Sequence, residues 1–151
     1  MKNRIVADSS CDLNEDMKKV LDIDLVPFNI SVDKEHFVDD ENLDLPKLVK
    51  SMKKSPNPIK TSCPSPGDFL KHFKKADNIF AVTISANLSG IYNSAILAKD
   101  MAMEEDPDKF VHVFNSKSAS IGETLIALKI DELIKEKLSN LEIVEKVENY
   151  I

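Results

Sequence analysis

The stretch Phe80–Ala95, FAVTISANLSGIYNSA, restricts the possible folds of this chain more than any other. Phe80-Ala81-Val82-Thr83-Ile84 is a short apolar run with β-branched members, the pattern of a buried strand. Ser85-Ala86-Asn87-Leu88-Ser89-Gly90 is mostly small and polar, a loop with backbone freedom at Gly90. From Ile91 the period changes, and Ile91, Ala95, Ala98 and Ala102 fall on one helical face. Strand, tight loop, helix: this order brings unpaired helix N–H groups and the hydroxyls of Ser85 and Ser89 to one spot. Such a spot attracts anions, because first-turn N–H groups lack partners and the helix dipole is positive there. The plainer alternative is that Ser89 caps the helix.

The same alternation recurs along the chain. Arg4–Ala7 reads as a strand ending at Asp8-Ser9-Ser10-Cys11-Asp12, and a helix follows from about Asn14, with Met17, Val20 and Leu21 on one face. Val26, Phe28, Ile30 and Val32 alternate with Pro27, Asn29 and Ser31, which predicts one strand. Pro27 puts its start at an edge. Asp33-Lys34 turns into a return strand at Glu35–Val38, and Leu45, Leu48, Val49 and Met52 mark an amphipathic helix stopped by Ser55-Pro56-Asn57-Pro58. Lys60–Asp68 is rich in small polar groups and proline, with Thr61 and Ser62 just ahead of a helix that starts near Ser65 or Pro66. Phe110–Phe114 is another strand, followed by Asn115–Ser120, a helix with Ile126, Ile130, Leu133, Ile134 and Leu138 at helical spacing, and a last helix with Ile143, Val144 and Val147.

Strands alternating with helices predict an α/β domain with a mainly parallel sheet flanked by helices. In such sheets ligands bind beyond the carboxyl ends of the strands. The polar loops Asp8–Asp12, Ser85–Gly90 and Asn115–Ser120 should therefore emerge together. The three glycines, Gly67, Gly90 and Gly122, each stand beside a Ser-rich loop and a helix start, which suggests special backbone geometry at one site.

Composition narrows the function. A net charge of -6 argues against nucleic acid as the main partner. The lysines of Lys50–Lys54 and Lys71–Lys75 fit solvated helix faces. No apolar run reaches the ~20 residues that span a bilayer, and the chain enters a strand with no apolar signal segment. The expectation is a cytoplasmic protein without stable membrane insertion. Cys11 and Cys63 are then reduced thiols, too few for a structural zinc site, and His36, His72 and His112 show no ligand spacing with them. No metal is expected.

Familiar catalytic motifs are missing: no Gly-x-Ser-x-Gly, no Gly-x-x-x-x-Gly-Lys-Ser/Thr, no Gly-x-Gly-x-x-Gly and no His-Glu-x-x-His. What remains is a weakly charged, hydroxyl-rich group: Thr61, Ser62, Ser85, Ser89 and Ser118. Hydroxyls without a base catalyse poorly. This composition suits holding a carboxylate or phosphate, so no catalytic residue is assigned and the chain reads as a binding protein.

Four segments together resemble the DegV family of bacterial fatty-acid-binding proteins. They are Asp8-Ser9-Ser10, Thr61-Ser62-x-Pro64, Leu88-Ser89-Gly90-x-Tyr92 and Ser116-Lys117-x-x-Ser120-x-Gly122, in family order and spread over essentially the whole chain. Cys63 stands where the family usually has Gln, and Asn115 where it usually has Asp. The resemblance implies a carrier that binds a long-chain fatty acid and presents it to a separate fatty acid kinase. By analogy the hydroxyls of Thr61 and Ser89 hold the carboxylate, with Ser62 and the Gly90 N–H beside it. The fatty acid is then a ligand, and no cofactor is implied. The tail would run between sheet and helices, past residues such as Phe28, Ile30, Ile84, Ile91 and Leu125. Residues 1–151 correspond to the N-terminal, lipid-binding domain, with the family's C-terminal domain absent from this chain. The exposed junction would then favour self-association. Two other readings compete: a phosphate-binding, kinase-like phosphotransfer subunit, and an interaction module with no small ligand.

Overall fold

The computed structural model describes residues 2–151. Strand β1 (Asn3–Asp8) is followed by α1 (Glu15–Val20), β2 (Ile23–Val26), β3 (Asn29–Val32), β4 (Glu35–Val38) and α2 (Leu45–Lys54). Then come β5 (Lys60–Ser62), α3 (Pro66–Phe73), β6 (Asn78–Thr83), α4 (Ile91–Glu105), β7 (Phe110–Asn115), α5 (Ile121–Lys135) and α6 (Asn140–Tyr150).

Four strands form a parallel sheet in the order β2-β1-β6-β7. Successive side chains on a strand point to opposite faces, and here both faces are covered, which is why the strands read as continuous apolar runs. Val6, Ile79, Ala81, Val111 and Val113 pack with Phe69 and Phe73 of α3 and the alanines of α4. Ile5, Ala7, Phe80, Val82 and Phe114 face the other way, onto Ile126, Ile130, Ile143 and Val147 of α5 and α6. The expected α4 face is the buried one: Ile91, Ala95, Ala98 and Ala102. Three of these four are alanine, so the helix lies close to the sheet and α3.

A second, antiparallel sheet has the order β4-β3-β5. Val32 and Phe37 pack under Leu48 of α2, forming a small separate core. The run Val26–Val32 is therefore two strands. Pro27 has no N–H to extend the ladder with β1, so β2 ends at Val26 and β3 pairs elsewhere. The Phe28 N–H donates to Ser9 Oγ (3.0 Å) at the bend. The apolar face expected for α1 is not buried either. None of its residues is buried and Val20 is 63% exposed; only Leu21, just past its end, enters the interior.

No glycine has positive φ, and Gly90 sits at φ -75°. The special backbone geometry expected at the glycines falls instead on Lys117 (φ 51°) and Ser120 (φ 56°). Gly122 is required for space: a Cβ there would lie 2.6 Å from Ser118 Cβ. No helix among the described residues is long and apolar enough to cross a membrane.

Candidate functional site

The three polar loops do meet beyond the carboxyl ends of β1, β6 and β7, because parallel pairing leaves them nowhere else to go. Asp8 Oδ2 accepts the Ile84 N–H (2.8 Å), tying the β1 end to the start of the β6–α4 loop. The Ser85 N–H donates to the Ser118 carbonyl (2.8 Å), and Asn115 Oδ1 accepts the N–H groups of Ala86 (3.1 Å) and Lys117 (3.2 Å). The amide of Asn115 thus performs the accepting role a carboxylate would perform there.

Strand β5 approaches this end from the second sheet. Thr61 and Ser62 are exposed residues of that edge strand, where the sequence suggested a loop before a helix. Cys63 follows them, and its Sγ lies 3.2 Å from Ser89 Oγ. The same sulfur is the nearest atom, at 4.0 Å, to the position a Cβ would take on Gly90. Cys63, which follows β5, is thereby a neighbour of Ser89 and Gly90. Ser89 does not cap α4 in the expected way. The N-cap is Gly90, with no side-chain hydrogen bond, and Ser89 Oγ only accepts a long contact from the Ile91 N–H (3.4 Å). Beyond that one long contact, the N-terminus of this fifteen-residue helix has no capping hydrogen bond from its N-cap side chain.

Beneath this surface lies a buried acidic chain the sequence reading missed. Asp8 and Glu123 are both fully buried. Ser10 Oγ lies 2.6 Å from Asp8 Oδ1 and 2.6 Å from Glu123 Oε1. Asp8 Oδ1 also accepts the Ser10 N–H (3.0 Å), and Glu123 Oε1 accepts the Ser120 N–H (3.0 Å). Among the described residues Glu123 Oε2 has no hydrogen-bond partner. Burial above all, then the neighbouring Asp8 charge, pushes the Glu123 carboxyl up to about 8. Burial also raises Asp8, against the pull of its hydrogen bonds from Ser10 and Ile84. Cys11 is buried beside Thr124, and desolvation pushes its thiol up to about 12. The signal for Glu123 was present in the sequence: Ser120-Ile121-Gly122-Glu123 has capping-box spacing.

A family model described as an uncharacterised protein of the DegV family matches residues 2–151. The chain belongs to the DegV family. A DegV domain-containing protein of Streptococcus gordonii is 42% identical over 149 residues, which are 97% of this chain and 53% of the relative. A second, from Streptococcus pneumoniae strain R6, is 40% identical with the same coverage. This DegV chain thus spans about half the length of the curated relatives it matches. The crystal structure of a Ruminococcus gnavus DegV protein, refined with vaccenic acid, superposes with a TM-score of 0.93 at 40% identity, covering 98% of this chain and 54% of that one. The Streptococcus pneumoniae Fatty Acid Kinase (Fak) B3 protein, loaded with linoleic acid, gives 0.89 at 38% identity over 99% of this chain and 54% of that one. A Eubacterium eligens DegV protein loaded with heptadecanoic acid gives 0.92 at 36% identity over 99% and 53%.

Within this DegV fold the residues named for a tail pocket divide: Phe28, Ile84 and Ile91 join one apolar cluster on the α3–α4 side of the sheet, while Ile30 and Leu125 lie outside it. Ile91 is fully buried in the core under α4, whereas Leu125 is 47% exposed on α5. Phe28 and Ile84 are half-buried against the α3–α4 side, and Ile30 belongs to the small core under α2. A cleft of about 710 Å³ lies along β2, lined by Asp24, Asp39, His72 and Lys75 among others, and none of the hydroxyl residues named for the carboxylate lines it. Among the described residues no three His, Cys, Asp or Glu side chains gather as a metal site.

Proposed function

We propose that this chain binds the carboxylate of a long-chain fatty acid at the junction of β5 and the β6–α4 loop, as the binding half of an acyl carrier that serves a fatty acid kinase. The observation that carries this is the 3.2 Å approach of Cys63 to Ser89, which joins the end of the strand bearing Thr61 and Ser62 to a helix N-terminus where only Ser89 Oγ, at 3.4 Å from the Ile91 N–H, accepts. Thr61 and Ser89 donate their hydroxyls to the carboxylate, while Ser62 and the Gly90 N–H complete its surroundings. The relatives crystallised with vaccenic, linoleic and heptadecanoic acid support the ligand class. The Fak B3 relative supports the kinase as partner.

The energetics divide the work. Burying each methylene contributes ~0.8 kcal/mol, so a long tail supplies on the order of ten kcal/mol before the costs of association. Each hydrogen bond to the charged head contributes ~1.5–3 kcal/mol, which sets orientation. Exposed Leu88, Ile121 and Leu125 give this end an apolar surface along which a tail can approach. The sheet's two faces are already filled, so the tail needs a shift of side chains or further covering surface to be fully enclosed.

Displacement of a fluorescent fatty acid tests the assignment. Ser89→Ala and Thr61→Ala should each weaken binding about tenfold to a hundredfold, the equivalent of one charge-assisted hydrogen bond, with unchanged thermal melting. Wild-type affinity in both variants refutes it. Native mass spectrometry of fresh protein that finds a bound nucleotide favours the phosphotransfer reading instead.

A further inference from the structure

The proton count in the buried chain does not close if both carboxylates are charged. Ser10 Oγ sits 2.6 Å from an oxygen of Asp8 and 2.6 Å from an oxygen of Glu123, yet it has one hydrogen to give. Two ionised carboxylates are acceptors only, so one of these short contacts would set lone pairs against lone pairs. A proton must therefore sit on a carboxyl oxygen facing Ser10. Asp8 receives three donors, the N–H groups of Ser10 and Ile84 and the Ser10 hydroxyl, which suits the anion. Glu123 accepts one backbone N–H and leaves Oε2 bare inside the protein, which suits the acid.

The other titratable groups facing this pair are Asp12 and Cys11. Asp12 accepts the Ser120 hydroxyl, its carbonyl accepts Thr124 Oγ1 (2.5 Å), and Cys11 lies against Thr124. Among the described residues no Lys, Arg or His forms an ion pair with Asp8, Asp12 or Glu123. Among the described residues, then, no cationic side chain pairs with the second charge, and a proton offsets it.

The two ends of this chain reach the candidate site. Asp8 holds the Ile84 N–H, where the loop carrying Ser89 begins. Glu123 holds the N–H of Ser120, a non-glycine residue at φ 56°, at the end of the loop whose Ser118 carbonyl binds Ser85. We propose that Asp8 and Glu123 hold one proton between them across Ser10, and that this proton locks the Ser89 loop to the start of α5. Glu123 is thus a positioning residue for the head-group site; this role rests on the reading of Thr61 and Ser89 above, while the shared proton does not.

The sign of the pH dependence follows. Glu123 is neutral in the folded protein up to about pH 8 but ionises near 4.5 when unfolded. Between those values the folded state binds the extra proton, so stability falls as pH rises, by roughly tenfold in the folding constant per pH unit, and levels off above about 8. Glu123→Gln keeps the shape and can donate to Ser10, but it cannot ionise. It gives up an acceptor for Ser120, a loss that is the same at every pH.

The experiment is urea unfolding of wild type and Glu123→Gln from pH 5 to 9, with oleate affinity measured alongside and a carboxyl-carbon NMR titration of Glu123. The wild-type folding constant should fall relative to the variant by about tenfold per unit up to pH 8. Oleate affinity should fall several-fold in wild type above pH 8 and stay level in the variant. Parallel stability profiles, or titration of Glu123 in the ordinary carboxylate range, overturn the shared proton. A Glu123-dependent stability slope with no Glu123-dependent change in oleate affinity overturns the positioning role and leaves the proton standing. If Thr61→Ala and Ser89→Ala both leave affinity unchanged, the head-group reading fails by a separate measurement.

Discussion

Gly122→Ala is the substitution whose cost can be worked most directly from the structure. The added Cβ would lie 2.1 Å from Ser118 Oγ and 2.6 Å from Ser118 Cβ. The hydroxyl can rotate away, but the Cβ cannot, because it moves only with its backbone. That backbone is held at both ends: Ser118 N–H donates to Ser116 Oγ (3.1 Å), and its carbonyl accepts Ser85 N–H (2.8 Å) and Ser116 Oγ (3.1 Å). Restoring a carbon–carbon contact of about 3.5–4.0 Å needs a shift of about 1 Å. One overpacked methyl at such a place costs ~3 kcal/mol, and better helix propensity returns ~1 kcal/mol. The net destabilisation should be about 2 kcal/mol, a fall of ~4–8 °C in melting temperature for a domain of this size. Urea unfolding of a double-mutant cycle measures it. Ser118→Ala should not rescue Gly122→Ala, since it keeps the offending carbon, whereas Ser118→Gly should recover most of the loss. A Gly122→Ala protein within about 0.5 kcal/mol of wild type would refute the reasoning, as would full rescue by Ser118→Ala.

The remaining expectations concern the thiols and the loop floor. At pH 8 a thiol with a pKa of about 12 is ionised on the order of one part in ten thousand, so buried Cys11 should alkylate ~1,000-fold more slowly than an ordinary free cysteine. Iodoacetamide with mass spectrometry should therefore find one prompt equivalent, on exposed Cys63, and oleate should slow that labelling if the carboxylate sits beside Ser89; two equal rates would contradict the burial of Cys11. Asn115→Leu strands the N–H groups of Ala86 and Lys117 and should cost ~1–3 kcal/mol by chemical denaturation. Asn115→Asp keeps an acceptor for both N–H groups and should stay within about 1 kcal/mol of wild type; equal losses in the two variants would show that the acceptor is not what matters.

Most of the fold was legible because the sheet is buried on both faces. A parallel strand covered on both sides must be apolar throughout, so β1, β6 and β7 stand out against the polar loops that follow them. The alanine face of α4 was equally plain, since small residues at helical spacing have few uses other than close packing. The reading failed where one pattern served two sheets. Val26–Val32 alternates correctly for one strand, but periodicity says nothing about which partner each half pairs with. The missing N–H of Pro27 marks the division. It failed again at α1, where Met17 and Val20 have the spacing of a core face, yet the helix is too short and peripheral to bury it.

The candidate site was legible in its surface and hidden in its foundation. Parallel topology alone requires the loops after β1, β6 and β7 to share one end, so Ser85, Ser89 and Ser118 could be grouped from their order. Thr61 and Ser62 were grouped with these serines by their hydroxyls and by the family resemblance, but the edge strand that carries them, and brings the adjacent Cys63 to Ser89, belongs to a second sheet that the sequence pattern did not reveal. Ser10 and Glu123 lie 113 positions apart, and each looks ordinary in its own segment: one a loop serine, the other a helix-start glutamate. Their meeting requires α5 to pack over the end of β1, a tertiary fact that no local pattern encodes. Burial then makes an unremarkable capping residue the acid of the proposed shared-proton pair, since among the described residues no cationic side chain pairs with Asp8 or Glu123.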